Sequence, residues 1–202
     1  MNFLAHCLIA ANASELPEQQ AGLIAGGLLG DFIKGPIPQH WPLPAQFGIR
    51  LHRRIDAYSN QHKGVRRSSS RFPPQLRRFA PVFVDVIADH LLTLDWARQY
   101  PQPIDKFSQH CYRLADDHRH LLAAEHARYL DWLVQNDLLG GYGNPEIVER
   151  GLKSITRRLK RSELDPDLFE TLPNLMPQLA EDFASYFPDL ITHAREFVRE
   201  AS

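Results

Sequence analysis

Acidic and imidazole side chains recur at helical spacing in three apolar stretches of this sequence. From Phe79 to Ala97 nearly every position is apolar except Asp85, Asp89, His90, Thr93 and Asp95. A helix apolar on all sides is normally buried. Asp85 and Asp89, four apart, share one face of it. A buried carboxylate left unpaired costs on the order of several kcal/mol, so the fold must supply an arginine, hydrogen-bond donors or a metal ion. In LHRRID, His52 and Asp56 are again four apart, beside an apolar stripe of Phe47, Leu51, Ile55 and Tyr58. Two such helices facing each other would bring imidazole and carboxylate to a common centre. Nitrogen and oxygen donors without thiolate suit Mn, Fe or Zn better than a soft metal or the all-oxygen shell of calcium. The same residues also fit plain ion pairs, Asp with Arg in the core and Arg53 with Asp56 on a surface.

Asp31, in LLGDFIKG, falls near a helix C-terminus, where the backbone dipole disfavours negative charge. A positive group should sit nearby, either Lys34 or a bound cation. Gly22, Gly26 and Gly30 form an i,i+4 stripe, each costing about 1 kcal/mol relative to Ala in a helix interior. Such a stripe implies that another helix packs very close. It is not a phosphate-binding loop, because the Gly-Lys-Ser/Thr ending is absent. His6 lies among Phe3, Leu4, Leu8 and Ile9, where a lone histidine is ordinarily a hydrogen-bonded core residue. Cys7 beside it points about 100° away on a helix, which argues against a thiol–imidazole pair. His110, His118 and His120 lie in polar surroundings and are set aside.

The elements that must position these groups are helical. Apolar periodicity near 3.6 dominates, and no strand alternation bounded by hairpin turns occurs, so an all-α single-domain bundle over residues 1–202 is expected. The helices expected are about 2–12, 18–34, one beginning near Pro44 and fading by Ser68–Ser70, one from Pro81 to Tyr100, two more up to Leu139, a basic helix at 146–161 and a last one at 177–198. Proline supplies most of the punctuation, as in PIPQHWPLP.

Composition sets outer limits. Of 202 residues, 44% are hydrophobic and 23% charged, values typical of folded globular proteins. Two distant cysteines, Cys7 and Cys111, support neither a disulfide framework nor a zinc knuckle and fit a reducing compartment. The opening MNFLAHCLIAAN lacks a basic leader and is broken by His6, so it reads as a buried helix rather than a signal, and no apolar run approaches the roughly 20 residues of a membrane span. A soluble, cytoplasmic protein is expected. The formal charge is only −1, yet Arg50 to Arg78 holds nine basic residues against one acid, Asp56. That local field suits an anionic partner.

MNFLAH, LLGDFIKG, LHRRID and DVIADHLL, in that order and spacing, resemble the acyl carrier protein phosphodiesterases, with Arg157, Arg158 and the closing DFASYFP as later echoes. The similarity extends over nearly the whole chain. The resemblance implies a metal-dependent enzyme, distantly related to HD-domain phosphohydrolases, that hydrolyses the phosphodiester joining 4′-phosphopantetheine to a serine of holo-acyl carrier protein. Manganese is the implied ion, with Fe, Mg or Zn as alternatives. Asp31, His52, Asp56, Asp89 and His90 would form the metal neighbourhood, Arg53 would clamp the phosphate, and His6 would donate a proton to the leaving serine oxygen. Arg66, Arg67, Arg71, Arg77 and Arg78 would steer the acidic carrier protein. The chain departs from the family pattern at Gly27, where relatives tend to have Asn, and at Asn60, where they have an acid. Position 60 is therefore not placed among the ligands. Two other functions fit the residues, an HD-type phosphohydrolase acting on a small nucleotide and a non-catalytic helical module holding an acidic partner. Nucleic acid is not expected, since neither aromatic interleaving nor a helix-turn-helix pattern is present.

Overall fold

The computed structural model describes residues 1–201, and among them every regular element is helical. In chain order these are α1 Phe3–Ala13, α2 Pro17–Leu29, α3 Leu43–Gln61, α4 Lys63–Ser70, α5 Pro74–Arg77 and α6 Ala80–Leu94. They are followed by α7 Trp96–Gln99, α8 Ile104–Asp116, α9 Ala124–Gln135, α10 Leu138–Gly141, α11 Pro145–Arg158 and α12 Asp165–Ala201. The all-α expectation holds. No described helix is long and apolar enough to cross a membrane.

α1 is the axis of the molecule. Its sequence is apolar on every side, so no face of it suits water, and Leu4, Ala5, Cys7 and Leu8 are fully buried. α2, α3, α6 and α12 surround it. Each fully buried Leu, Ile or Phe side chain in that core stabilises by about 1.5–3 kcal/mol relative to exposure.

The glycine stripe of α2 packs against α3, as its spacing implies. A Cβ on Gly22 would collide with Pro44, one on Gly26 with the backbone of Gly48, and one on Gly30 with the imidazole of His52. Two helices this close leave no room for side chains between them, so α3 is held in fixed register on α2. The proline-rich loop before α3 is tied down at Trp41, which is buried and whose carbonyl accepts 2.7 Å from Gln46 Nε2.

Four boundaries differ from the sequence expectation. α2 ends at Leu29 and tightens into a 3₁₀ turn at Gly30–Phe32 instead of running to Lys34. α3 stops at Gln61, because His62 leaves the helical region and its Nδ1 accepts from Gly64 N to start α4. α6 ends at Leu94, with Asp95 outside the helical region before the short α7. α12 begins at Asp165 and carries Pro173 and Pro177 inside it. The hydrogen bonds those prolines forgo are offset by the apolar face that Leu168, Leu172, Met176 and Leu179 press onto the core.

Candidate metal centre

α1 supplies His6 and α3 supplies His52 and Asp56, with ligand atoms of all three within 4.8 Å of one another. The rings of His6 and His52 stack at 3.8 Å and 19°, both buried. His52 Nδ1 lies 3.0 Å from the carbonyl of Gly27. A carbonyl can only accept, so Nδ1 carries a proton, and the bond turns Nε2 towards the carboxylates. That Nε2 is 3.3 Å from Asp56 Oδ2 and 3.9 Å from Asp31 Oδ1. His6 Nε2 is 2.9 Å from the other oxygen of Asp56. Asp31 comes from the 3₁₀ turn after α2, where it also pairs with exposed Lys34 at 3.3 Å.

The electrostatics favour a cation. Burial first, and then the neighbouring His52, lower the pKa of His6 to about 4, so its ring is neutral at pH 7. Burial opposes ionisation of Asp56, but hydrogen bonds with His52 and His6 hold it well below the usual carboxylate range. The α-ammonium of Met1 lies 3.3 Å from Asp56 Oδ1 and 3.1 Å from Asp85 Oδ1. Burial alone would lower its pKa; the two carboxylates raise it above the ordinary value. A positive group thus already sits between these oxygens. Two imidazoles and an ionised carboxylate, with two more carboxylates beside them, fit a divalent ion of borderline hardness.

The cluster opens into a cleft of about 1010 Å³, at the upper end of the roughly 300–1,000 Å³ typical of small-molecule sites. Its lining is acidic at Asp31, Asp56 and Asp85. Phe3, Phe32, Val86, Tyr129 and Trp132 make an apolar flank, and Arg150, Lys153, Arg157 and Arg158 of α11 make a basic wall.

The structure brings His6, His52, Asp56 and Asp31 together, but not Asp89, His90 or Arg53. Asp89, fully buried, accepts from Leu4 N and Ala5 N at 2.9 Å each, and so fixes the first turn of α1. His90 turns its Nδ1 to the carbonyl of Tyr142 at 2.7 Å. Arg53 donates to the carbonyl of Ile33 at 2.7 Å and does not line the cleft. Of the arginines expected to meet a carrier, Arg67 and Arg71 grip the buried Asp182 at 2.6 Å each. Arg66 and Arg77 instead border a smaller hollow, of about 210 Å³, that shares Asn60 and Pro81 with the main cleft, and Arg78 lies over the Phe79 ring. Asp85 reaches the site although the sequence does not place it among the ligands. Its i,i+4 relation to Asp89 is visible there, but spacing alone does not say which of the two faces the cleft.

The family model described as acyl carrier protein phosphodiesterase matches residues 1–190. Among curated relatives carrying that name, the protein of Enterobacter sp. (strain 638) is 28% identical over 199 residues, covering 96% of this chain and 98% of the relative. That of Klebsiella pneumoniae subsp. pneumoniae is 30% identical over 196 residues, covering 95% and 96%. No solved structure matches the chain.

Proposed function

The chain belongs to the acyl carrier protein phosphodiesterase family, and from that premise we propose that it hydrolyses the phosphodiester between 4′-phosphopantetheine and the serine of holo-acyl carrier protein, releasing apo carrier and 4′-phosphopantetheine. The observation that carries this reading is the His6–His52–Asp56 triad, whose Asp56 lines a cleft that also holds the basic residues of α11. Such a cleft accommodates an anionic group bound to a cation.

His6, His52 and Asp56 hold the divalent ion, with Asp31 and Asp85 beside it. When bound, a divalent ion polarises a phosphoryl oxygen and lowers the pKa of water towards about 7. His6 therefore acts as a ligand in this reading rather than as the proton donor expected from sequence, since its Nε2 is turned to Asp56 within the cluster. Asp85 lines the cleft with its pKa raised by burial and would take up the proton released by the attacking water, while the leaving serine oxygen takes its proton from solvent. Gly27 O fixes the orientation of His52 through Nδ1, which keeps Nε2 aimed at the centre. Asp89 acts at a distance, anchoring the helix that carries His6.

Exposed Arg66 and Arg77, beside the smaller hollow, and exposed Arg78, over the Phe79 ring, meet the acidic carrier. Raising salt should then increase KM for holo carrier before it unfolds the enzyme. Steady-state kinetics from low to physiological salt would check this, and a flat KM would refute it.

The reaction itself is tested by stripping the protein with chelator, restoring Mn, Mg, Fe or Zn singly, and following holo carrier by mass. Conversion to apo carrier is expected, with Mn foremost. No conversion with any ion overturns the reading, and turnover of free nucleotides alone would assign the centre to nucleotide hydrolysis.

A further inference from the structure

A phosphodiester entering this cleft meets three carboxylates in its lining, so it needs positive charge beyond a single divalent ion. Arg53 does not supply it, because its guanidinium is held by the Ile33 carbonyl away from the cleft. Lys34 is paired with Asp31. On α11, Lys153 is paired with Glu149 at 2.5 Å, and Arg150 Nε lies 3.3 Å from the Glu146 carbonyl. Arg157 and Arg158 also line the cleft and are exposed, and neither is in an ion pair among the described residues. Both lie in the last turn of α11, where the helix dipole favours cations. Adjacent helical residues diverge by about 100°, so their two guanidiniums approach a shared oxyanion from different sides.

Beside them the Tyr129 and Trp132 rings lie parallel, 5.7 Å apart at 6°, and both are exposed although aromatic. Phe32 braces Tyr129 edge-on at 5.7 Å. An exposed aromatic pair against a basic wall, inside a cleft, matches a ligand with a phosphate at one end and a flat, amide-rich chain at the other.

We propose that Arg157 and Arg158 form the phosphate-binding subsite of the cleft, and that the Tyr129–Trp132 stack receives the pantetheine arm. This rests on the hydrolytic reading above and assigns its substrate-recognition residues. Each guanidinium presents a planar fork of donors to phosphate oxygens, which positions the diester against the triad, while the ring pair shields the arm from water.

Trp132 reports on the subsite directly. Trp41 and Trp96 are buried at 2% and 8% exposure, whereas Trp132 is 46% exposed. Titrating the full-length protein with free 4′-phosphopantetheine should change its tryptophan emission, and Trp132→Phe should abolish that change. The double variant Arg157→Gln/Arg158→Gln should bind 4′-phosphopantetheine at least tenfold more weakly, by calorimetry, and Arg157→Lys/Arg158→Lys should recover part of the loss. Pantetheine, which lacks the phosphate, should bind wild type and the double Gln variant alike. All five substitutions fall at exposed positions, so equal melting temperatures are expected and verify the fold. Equal affinity of wild type and the double Gln variant for 4′-phosphopantetheine overturns the subsite, as does a wild type that does not bind it. Wild type that binds through the two arginines but leaves holo carrier intact would keep the subsite and remove the reaction. Wild type that turns over holo carrier, with KM unchanged in the double Gln variant, would do the reverse.

Discussion

Asp85 and Asp89 share one face of α6 a single turn apart, yet their surroundings differ. Asp85 opens to the cleft, while Asp89 is sealed beneath α1 and accepts from two backbone N–H groups. Burial, opposed by those two donors, raises the pKa of Asp89 to about 7. In the unfolded chain an Asp loses its proton near ~3.9. Between roughly pH 4 and 7 the native state therefore holds a proton that the unfolded state has released, and the contribution of Asp89 to stability falls as pH rises through that window. Asp89→Asn should be less stable than wild type at pH 5, and the gap between them should shrink by pH 8. Urea midpoints at the two pH values check this, and a gap that widens would show that the N–H bonds outweigh burial. From sequence, the need for partners at Asp89 was legible and the partners were not. Backbone N–H groups at the start of another helix leave no mark in residue types.

At the scale of elements, the α2–α3 pairing was the most readable feature, because three glycines four apart weaken a helix unless a neighbour packs closely against them. What they position was less visible, since nothing in the stripe itself says that Gly30 faces His52. Gly26→Ala and Gly30→Ala should consequently fail in different ways. At Gly26 the added methyl meets the Gly48 backbone, which cannot move aside, so stability should drop by about 1–3 kcal/mol. At Gly30 it meets the His52 ring, so metal content and turnover should fall at least tenfold with a smaller loss of stability. Thermal melts set beside metal analysis separate the two, and equal profiles would refute the distinction. The break at His62 and the early start of α12 escaped the sequence reading for a common reason. His62 is held by Asp189 of α12 as it caps α4, and the first turns of α12 are held by the core, so distant contacts outweigh local propensity at both.

Across the whole molecule, α12 is bound to α4 by one buried carboxylate. Asp182, 1% exposed, receives Arg67 and Arg71 at 2.6 Å and Ser68 at 3.1 Å. Burial works against its charge, but Arg71, Arg67 and Ser68 together hold its pKa below the ordinary value. The stability it confers is thus present above about pH 4 and lost as pH falls through the lowered pKa. Asp182→Ala should cost about 2 kcal/mol at pH 7 while leaving kcat on holo carrier unchanged. Denaturation and kinetics on the same preparation test both halves, and a fall in kcat would mean that α12 influences the cleft. The basic run from Arg50 to Arg78 was plain in the sequence, but how it divides between an internal clamp and an outward face was not. Opposite charges so far apart in sequence have no periodic signature.

The His6–His52 pair also bears on how an ion would be held at this centre. The rings stack on each other, and His52 is confined between Gly30 and the Gly27 carbonyl. Neither imidazole can swing to follow an ion of different radius. Adjustment is left to Asp31, Asp56 and Asp85, which are 42%, 38% and 34% exposed and have room to bind through one oxygen or two. Rigid nitrogens thus set where an ion sits, while the movable oxygens set its coordination number. A centre built this way would load without rearranging the core and would accommodate several divalent ions in one place.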